Sequence, residues 1–219
     1  MKFGQSDIDA LLDYWPRLRR APVTRDGFAP IVGTLSFSMA PAGRPAIEDS
    51  YSVRLEIPVK TSSYAPQVFE AGGRIEHHID NHVYKTGALC LGSPWTLRRI
   101  IGTPPDLVKF VNQCVIPFLY AASCREKDGG KLPFSELSHG KAGLLDDYEL
   151  ILGLEGARSV SVALMAVSQR KRIANKIDCP CACGRRLGNC EFRWKLATLR
   201  SEANRDFFRA LAWQFKALA

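Results

Sequence analysis

Residues 55–95 read LEIPVKTSSYAPQVFEAGGRIEHHIDNHVYKTGALCLGSPW, and they set the expectation for the first half of the chain. The stretch begins as a strand, passes through a proline-bearing turn into a shorter strand, and continues as a loop rich in histidine. The loop leads through Gly87 to Cys90, which leucines flank on both sides. Such a cysteine is either a small hydrophobe buried at a strand end or a thiol held rigidly at a surface, as thiol chemistry requires.

Two segments of period two precede this stretch. Alternating apolar residues over 31–39 and 51–59 predict two strands, because successive side chains of a strand point to opposite faces. Prolines and a glycine within 41–45 supply a turn, so the two strands are expected to be antiparallel. A helix is predicted before them, with Ser6 as its cap and Pro16 at its end. Its apolar face holds Ile8, Leu11, Leu12 and Trp15.

A long helix is predicted after Thr103-Pro104-Pro105, because proline is favoured in the first turn of a helix. Apolar spacing places Cys114 on its buried face, as a core residue. The composition changes at residues 125–131, REKDGGK, and we place the end of the core there. The predicted domains are therefore a core over 1–125 and a helical extension over 126–219.

Within the extension, His139 lies in a predicted loop, where a positioning or capping role is favoured over catalysis or metal binding. Apolar spacing predicts one helix over 157–176 and another from 192 onward. The apolar stripe of the last helix consists of Phe192, Leu196, Leu199, Ala203, Phe207, Leu211, Phe215 and Leu218.

Three short motifs in the core resemble those of ubiquitin-conjugating enzymes: Tyr64-Ala65-Pro66, Gly87-Ala88-Leu89-Cys90-Leu91 and Trp95. In that family a helix precedes a meander of strands, a proline turn, a His-Pro-Asn tripeptide, a Gly-x-Ile-Cys-Leu segment and a tryptophan. The resemblance covers about residues 5–125. In place of the tripeptide this chain has His77-His78-Ile79-Asp80-Asn81-His82, a divergence like that of prokaryotic relatives.

The resemblance implies an α+β fold and a cytoplasmic enzyme. Cys90 would receive a ubiquitin-like protein from a separate activating enzyme, hold it as a thioester, and pass it to an amine of a protein target. Asn81 is the first expected donor to the oxyanion, followed by His82 and His78, and one well-aimed donor is worth about 3 kcal/mol. Asp80 would orient or deprotonate the incoming lysine, although it can equally be a turn residue. Relatives of this kind occur in bacterial conjugation operons, including antiphage defence systems.

Residues 179–190, CPCACGRRLGNC, bring four cysteines into twelve positions with proline and glycine turns between them. This is the donor set of a tetrahedral structural zinc site, with reduced structural thiols as the alternative. The spacing resembles the SEC-C zinc motif at the C-terminus of SecA translocases, in which Cys179, Cys181 and Cys190 match the first three ligands. Glu191 occupies the position of the fourth ligand. Cys183, which replaces a serine of the motif, is therefore inferred to complete the site.

Charge and cysteine content bear on partners and compartment. The formal charge of +8 permits contact with nucleic acid, but solvated helix faces are expected to account for most of the basic residues. The chain has neither a basic N-terminal segment followed by an apolar run nor 18 consecutive apolar residues, so we expect neither secretion nor a membrane partner. Seven cysteines, clustered toward one end, suggest a reducing compartment.

Two alternatives stay open at this point. The loss of the His-Pro-Asn tripeptide is the argument for a catalytically inactive adaptor of the same fold, whereas the intact Gly-x-Leu-Cys-Leu segment argues against it. The cysteine motif, the basic residues at 170–176 and the last helix instead suit a zinc-containing protein that binds nucleic acid.

Overall fold

The computed structural model describes residues 1–23, 25–60, 64–128 and 140–216. The chain forms two compact units, Met1–Glu136 and Leu137–Ala219. The first combines an antiparallel sheet with helices and the second is helical, so the predicted α+β class is confirmed. His139 lies outside the described residues.

The sheet of the first unit has four antiparallel strands in sequence order. Its elements are helix α1 (Gln5–Tyr14) and strands β1 (Leu18–Arg20), β2 (Phe28–Met39), β3 (Ile47–Pro58) and β4 (Gln67–Glu70). The register pairs Leu35 with Tyr51 and Ile31 with Leu55, and all four side chains are buried. The period-two alternation therefore predicted both central strands and the face that each buries.

Helix α1 begins one residue before the predicted cap. Gly4 is the N-cap residue, and its backbone N–H donates to the carboxylate of Asp7 at 2.7 Å, while Ser6 lies inside the first turn. A carboxylate at this position satisfies a donor at the helix start much as a capping side chain would. Ile8 and Leu11 are buried as predicted.

Three helical elements follow the sheet: α2 (Pro94–Ile101), α3 (Leu107–Phe110) and α4 (Ile116–Asp128). A π-helical turn at Val111–Val115 joins α3 to α4. This long helical segment supplies much of the core, and Cys114 and Cys124 are buried in it. Leu107–Lys127 is long and apolar enough to cross a membrane, but most of it is buried, as in the core helix of a folded domain.

The second unit contains α5 (Lys141–Leu152), α6 (Ala157–Ser168), α7 (Lys171–Ala174), α8 (Phe192–Leu199) and α9 (Arg205–Lys216). Both helices predicted here are broken. Arg200 donates to the carbonyls of Ala166 and Val167 at the end of α6, where the last carbonyls of a helix lack i+4 partners. Asn204 caps α9 by accepting from the Phe207 N–H at 2.9 Å.

Candidate functional site

Cys90 lies at the end of a short extended segment that two backbone hydrogen bonds hold in place. The Leu89 N–H donates to the Val68 carbonyl of β4 at 2.8 Å, and the Cys90 N–H donates to the His82 carbonyl at 2.7 Å. The Cys90 side chain is partly buried, whereas Cys114 and Cys124 are fully buried. Cys90 therefore combines a fixed backbone with incomplete burial.

The hydroxyl of Tyr84 lies 3.1 Å from the Cys90 sulfur, within hydrogen-bonding distance. Burial, followed by contact with the thiol, raises the pKa of Tyr84 above its ordinary value of 10.0. The phenol therefore keeps its proton at neutral pH and can donate it in a hydrogen bond to a thiolate.

The sequence prediction missed Tyr84. A turn brings it back to the cysteine: the Gly87 N–H donates to the Tyr84 carbonyl at 2.8 Å, and the Tyr84 N–H donates to the Ala88 carbonyl at 2.9 Å. Gly87 has φ of +82°, in the left-handed region that favours glycine. Gly87 was the feature of the sequence that could have revealed this contact. A tight turn at a glycine reverses the chain and so brings Tyr84 close to Cys90.

The polar residues predicted for the site occupy one loop but play different local roles. His82 adopts a left-handed conformation and supplies the carbonyl that anchors Cys90. Asn81 donates from its side-chain amide to the Glu76 carbonyl at 3.1 Å, across the loop. His78 accepts from the Asp80 N–H at 3.3 Å, and its ring nitrogen is also 3.3 Å from the Asp80 carboxylate. His82 and Tyr84 therefore lie within hydrogen-bonding distance of Cys90, whereas His78 interacts with Asp80.

Glu70 organises the chain that enters this loop. Its carboxylate is buried and accepts from the backbone N–H groups of Gly72, Arg74 and Ile75 at 2.6, 2.9 and 3.3 Å. Three donors on one carboxylate compensate for its burial. Glu70 therefore fixes the turn between β4 and residues 77–82, which we call the histidine loop.

Arg74 ties the same turn to β3 and α4. Its guanidinium binds Asp49 through two hydrogen bonds of 2.9 Å and Glu126 through one of 2.6 Å. Ser123 also donates to Asp49, at 2.7 Å. The hydrogen bonds from Arg74 and Ser123 hold the pKa of Asp49 well below its usual range, and those to Asp49 and Glu126 raise the pKa of Arg74. Shared, charge-assisted contacts of this kind make the base of the loop rigid.

A cavity of about 260 Å³ adjoins this network. Its lining includes Tyr51, Arg74, Asn81, Phe118 and Arg125. Arg125 also donates to the Asp80 carbonyl, which connects α4 directly to the histidine loop. The cavity is therefore lined by residues of both α4 and the loop, and Asn81 is one of them.

The cysteines of the second unit form a separate cluster. The sulfurs of Cys179, Cys181, Cys183 and Cys190 all lie within 4.8 Å of one another, close enough to bind a metal ion and compatible with zinc. The separations are 3.1 Å for Cys179–Cys181 and 3.6 Å for Cys181–Cys190. Tetrahedral Zn²⁺ with Zn–S bonds near 2.3 Å places its sulfurs about 3.8 Å apart, so the donor set fits.

Local backbone contacts assemble the cluster. The Cys179 N–H donates to the Arg185 carbonyl and the Ala182 N–H to the Cys179 carbonyl, at 2.9 and 3.0 Å. Burial raises the pKa of Cys179, whereas the Arg185 N–H, followed by the Cys181 thiol, lowers the pKa of Cys183 to about 6. Glu191, at the fourth ligand position of the SEC-C motif, is exposed and is not part of the cluster.

Comparison with protein-family models, curated proteins and solved structures finds no match. The functional argument therefore depends on the geometry around Cys90 and on the cysteine cluster.

Proposed function

We propose that this protein is a ubiquitin-conjugating-like enzyme that carries a ubiquitin-like protein as a thioester on Cys90 and transfers it to an amine of a protein target. The observation that carries the proposal is the partly buried Cys90 thiol, fixed by backbone hydrogen bonds and in contact with the Tyr84 hydroxyl. The order of elements supports it: a helix, an antiparallel meander, a polar loop with the cysteine, and then helices, as in the ubiquitin-conjugating pattern.

The first step is a transthiolation. The Cys90 thiolate attacks the carbonyl carbon of the modifier's thioester on the activating enzyme; a new C–S bond forms, the old one breaks, and the activating enzyme's thiol recovers the proton. The exchange replaces one thioester by another, so its equilibrium constant lies near one. Cys90 must then be placed correctly and stabilised as a thiolate, and the Tyr84 hydroxyl is positioned to donate to that thiolate.

The second step is aminolysis. The target amine attacks the thioester carbonyl, the C–N bond forms, the C–S bond to Cys90 breaks, and the amine loses a proton to solvent or to a base. Asn81 is our first choice for stabilising the oxyanion, because its amide keeps a second N–H beyond the one that binds Glu76. The Tyr84 hydroxyl, His82 and His78 are the other donors near the loop, and Asp80 is the proposed base.

The cysteine cluster is proposed to hold structural zinc. Four thiolate ligands leave no open position for substrate, so the ion would stabilise the second unit and take no part in acyl transfer. We propose a cytoplasmic location in a bacterium, where thiols stay reduced. We also propose that the gene belongs to a conjugation or antiphage operon that supplies the activating enzyme and the modifier.

The test is intact mass spectrometry after co-expression with the proteins encoded beside it. A thioester adds the partner's mass less one water, and it withstands a phosphine reductant but is cleaved by neutral hydroxylamine. The Cys90→Ser variant should give either a hydroxylamine-resistant ester or no adduct. Cys183→Ser, which removes an exposed thiol elsewhere, should leave the adduct unchanged.

The same experiment distinguishes the alternative. If a neighbouring protein co-purifies but neither wild type nor Cys90→Ser ever forms an adduct, the protein is an adaptor and the proposal is wrong.

A further inference from the structure

Basic residues are concentrated around the cysteine cluster of the second unit. Residues 170–195 contain eight lysines and arginines against two acidic residues, which accounts for most of the chain's net charge of +8. The basic residues are Arg170, Lys171, Arg172, Lys176, Arg185, Arg186, Arg193 and Lys195. Zinc with four thiolates carries a net charge of about −2. The segment would therefore keep an excess of positive charge with the metal bound.

Backbone hydrogen bonds join the two halves of this segment into one surface. The Leu187 N–H donates to the Ile177 carbonyl at 2.9 Å, and the Gly188 N–H donates to the Asn175 carbonyl at 3.0 Å. The chain around 170–176 is therefore adjacent to the chain around 185–195. We call the exposed part of these two stretches the basic surface.

Six basic side chains of the basic surface are exposed and make no ion pair with a described carboxylate. Arg170, Arg172 and Arg186 are exposed, and so are Lys171, Lys176 and Lys195. Across the described parts of the second unit, no ion pair joins any of these six side chains to a carboxylate. Self-repulsion at this density is unfavourable, and an anionic partner would relieve it.

An exposed aromatic side chain lies within the same surface. Trp194 is 63% exposed, although an indole ordinarily buries most of its area. The guanidinium of Arg193 lies 4.5 Å from the centre of its ring, and Arg193 also donates to the Gly188 carbonyl. The indole is therefore held at the surface beside the cationic groups.

We propose that the basic surface binds single-stranded nucleic acid. Arginine contributes most of its charge, and the planar guanidinium matches phosphate oxygens with two parallel donors. An aromatic platform beside a cationic track is the usual means of holding unpaired bases, since every base has a face that can stack. An acidic protein segment would neutralise the positive charge of the basic surface, but it offers no bases that could stack on Trp194.

The test uses the full-length protein and fluorescein-labelled oligo(U) and oligo(dT) of about 20 nucleotides, with anisotropy measured from about 50 to 300 mM salt. We expect binding that weakens linearly in log salt. The triple variant Arg170→Ala, Arg172→Ala, Arg186→Ala should reduce the slope by roughly 2, at about 0.7 per phosphate contact. A control triple, Arg19→Ala, Arg44→Ala, Arg158→Ala, removes equal charge elsewhere and should leave the slope unchanged.

Trp194→Ala separates stacking from charge. It should weaken binding to oligo(U) roughly tenfold while leaving the salt slope unchanged, whereas Trp213→Ala, which truncates another half-exposed tryptophan, should have no effect. Circular dichroism of each variant checks folding, and a Lys171→Ala, Lys176→Ala pair provides an independent loss of charge on the same surface.

Several results would overturn the inference. The protein could fail to bind either oligonucleotide at low salt, or the control triple could lose as much affinity as the test triple. Competition by polyglutamate as effective as that by oligo(U), with no effect of Trp194→Ala, would instead assign the surface to an acidic protein partner.

Discussion

At the scale of single residues, Cys90 differs from Cys114 in its burial and in its contact with Tyr84. Among the residues that the structure describes, none forms a side-chain hydrogen bond with Cys114, and burial raises its pKa to about 11. Cys90 is instead partly exposed and lies 3.1 Å from a hydroxyl that keeps its proton. In the proposed reaction the Tyr84 hydroxyl would donate a hydrogen bond to the sulfur of Cys90 while it acts as the nucleophile.

Replacing Tyr84 by phenylalanine should therefore slow the alkylation of Cys90. A hydrogen bond to a charged acceptor is worth about 1.5 kcal/mol, so we expect the rate with iodoacetamide near neutral pH to fall roughly tenfold. Peptide mass spectrometry after timed labelling measures this rate at Cys90 itself. Tyr14→Phe changes an exposed tyrosine far from Cys90 in sequence and is the matched control. An unchanged rate in Tyr84→Phe would show that the hydroxyl does not support the thiolate.

At the scale of secondary structure elements, one glycine permits the edge strand to pair. Gly33 in β2 has φ of +150°, and a Cβ built there would lie 2.1 Å from the Arg17 carbonyl oxygen. The Thr34 N–H donates to that same carbonyl, and Gly33 is paired with Leu18 of β1. The close approach of the two backbones therefore requires a residue without a side chain.

We expect Gly33→Ala to lower the free energy of unfolding by about 3 kcal/mol, because either the β1–β2 pairing or the backbone at Arg17 must shift. Gly43→Ala is the matched control, since φ there is +70° but nothing lies within 4 Å of the added methyl group. Its cost should be near 1 kcal/mol, from backbone strain alone. Urea denaturation followed by circular dichroism measures both values, and equal costs would mean that the Arg17 contact is unimportant.

Sequence patterns predicted the elements that have a strong period and missed those that depend on distant partners. Strands β2 and β3 follow from alternation, and the buried face of the helix after Pro105 follows from its apolar spacing. Strand β1 has only three residues. It can pair with β2 because Gly33 has no side chain that would obstruct the backbone of the β1 strand. The close approach of the β1 and β2 backbones depends on residues that are not neighbours in the sequence. No local sequence pattern predicts it.

The candidate site divides in the same way. The cysteine cluster could be predicted from spacing, because its four members are close together in the chain, whereas the role of Cys90 stays a prediction. The predicted helix over 157–176 breaks at Gln169 and Arg170, and the last one breaks near Ala203, although its apolar stripe continues across that break. Arg200 and Asn204 satisfy the backbone at these ends through contacts that periodicity does not encode.

At the scale of the whole molecule, the cysteine cluster distinguishes the second unit from the first. The first buries a large apolar core between sheet and helices. The second has fewer residues and carries the cysteine cluster within a segment of turns and short helices. Small units gain much of their stability from metal sites when the hydrophobic core is limited. Metal removal should therefore affect one unit and spare the other.

The wild-type protein should contain one zinc per chain, and a chelator should expose the second unit selectively. Amide hydrogen exchange in peptides from 177–190 should accelerate at least a hundredfold, equivalent to about 3 kcal/mol, because a bound metal would join four chain positions across a segment of turns. Peptides from β2 and β3 should keep their protection.

Cys190→Ser should lose the zinc and reproduce the effect, Cys183→Ser should weaken zinc binding, and Cys90→Ser should retain full zinc content. Uniform exchange with and without chelator would show that the four thiols are a reduced structural cluster, since their geometry alone would then hold the segment together.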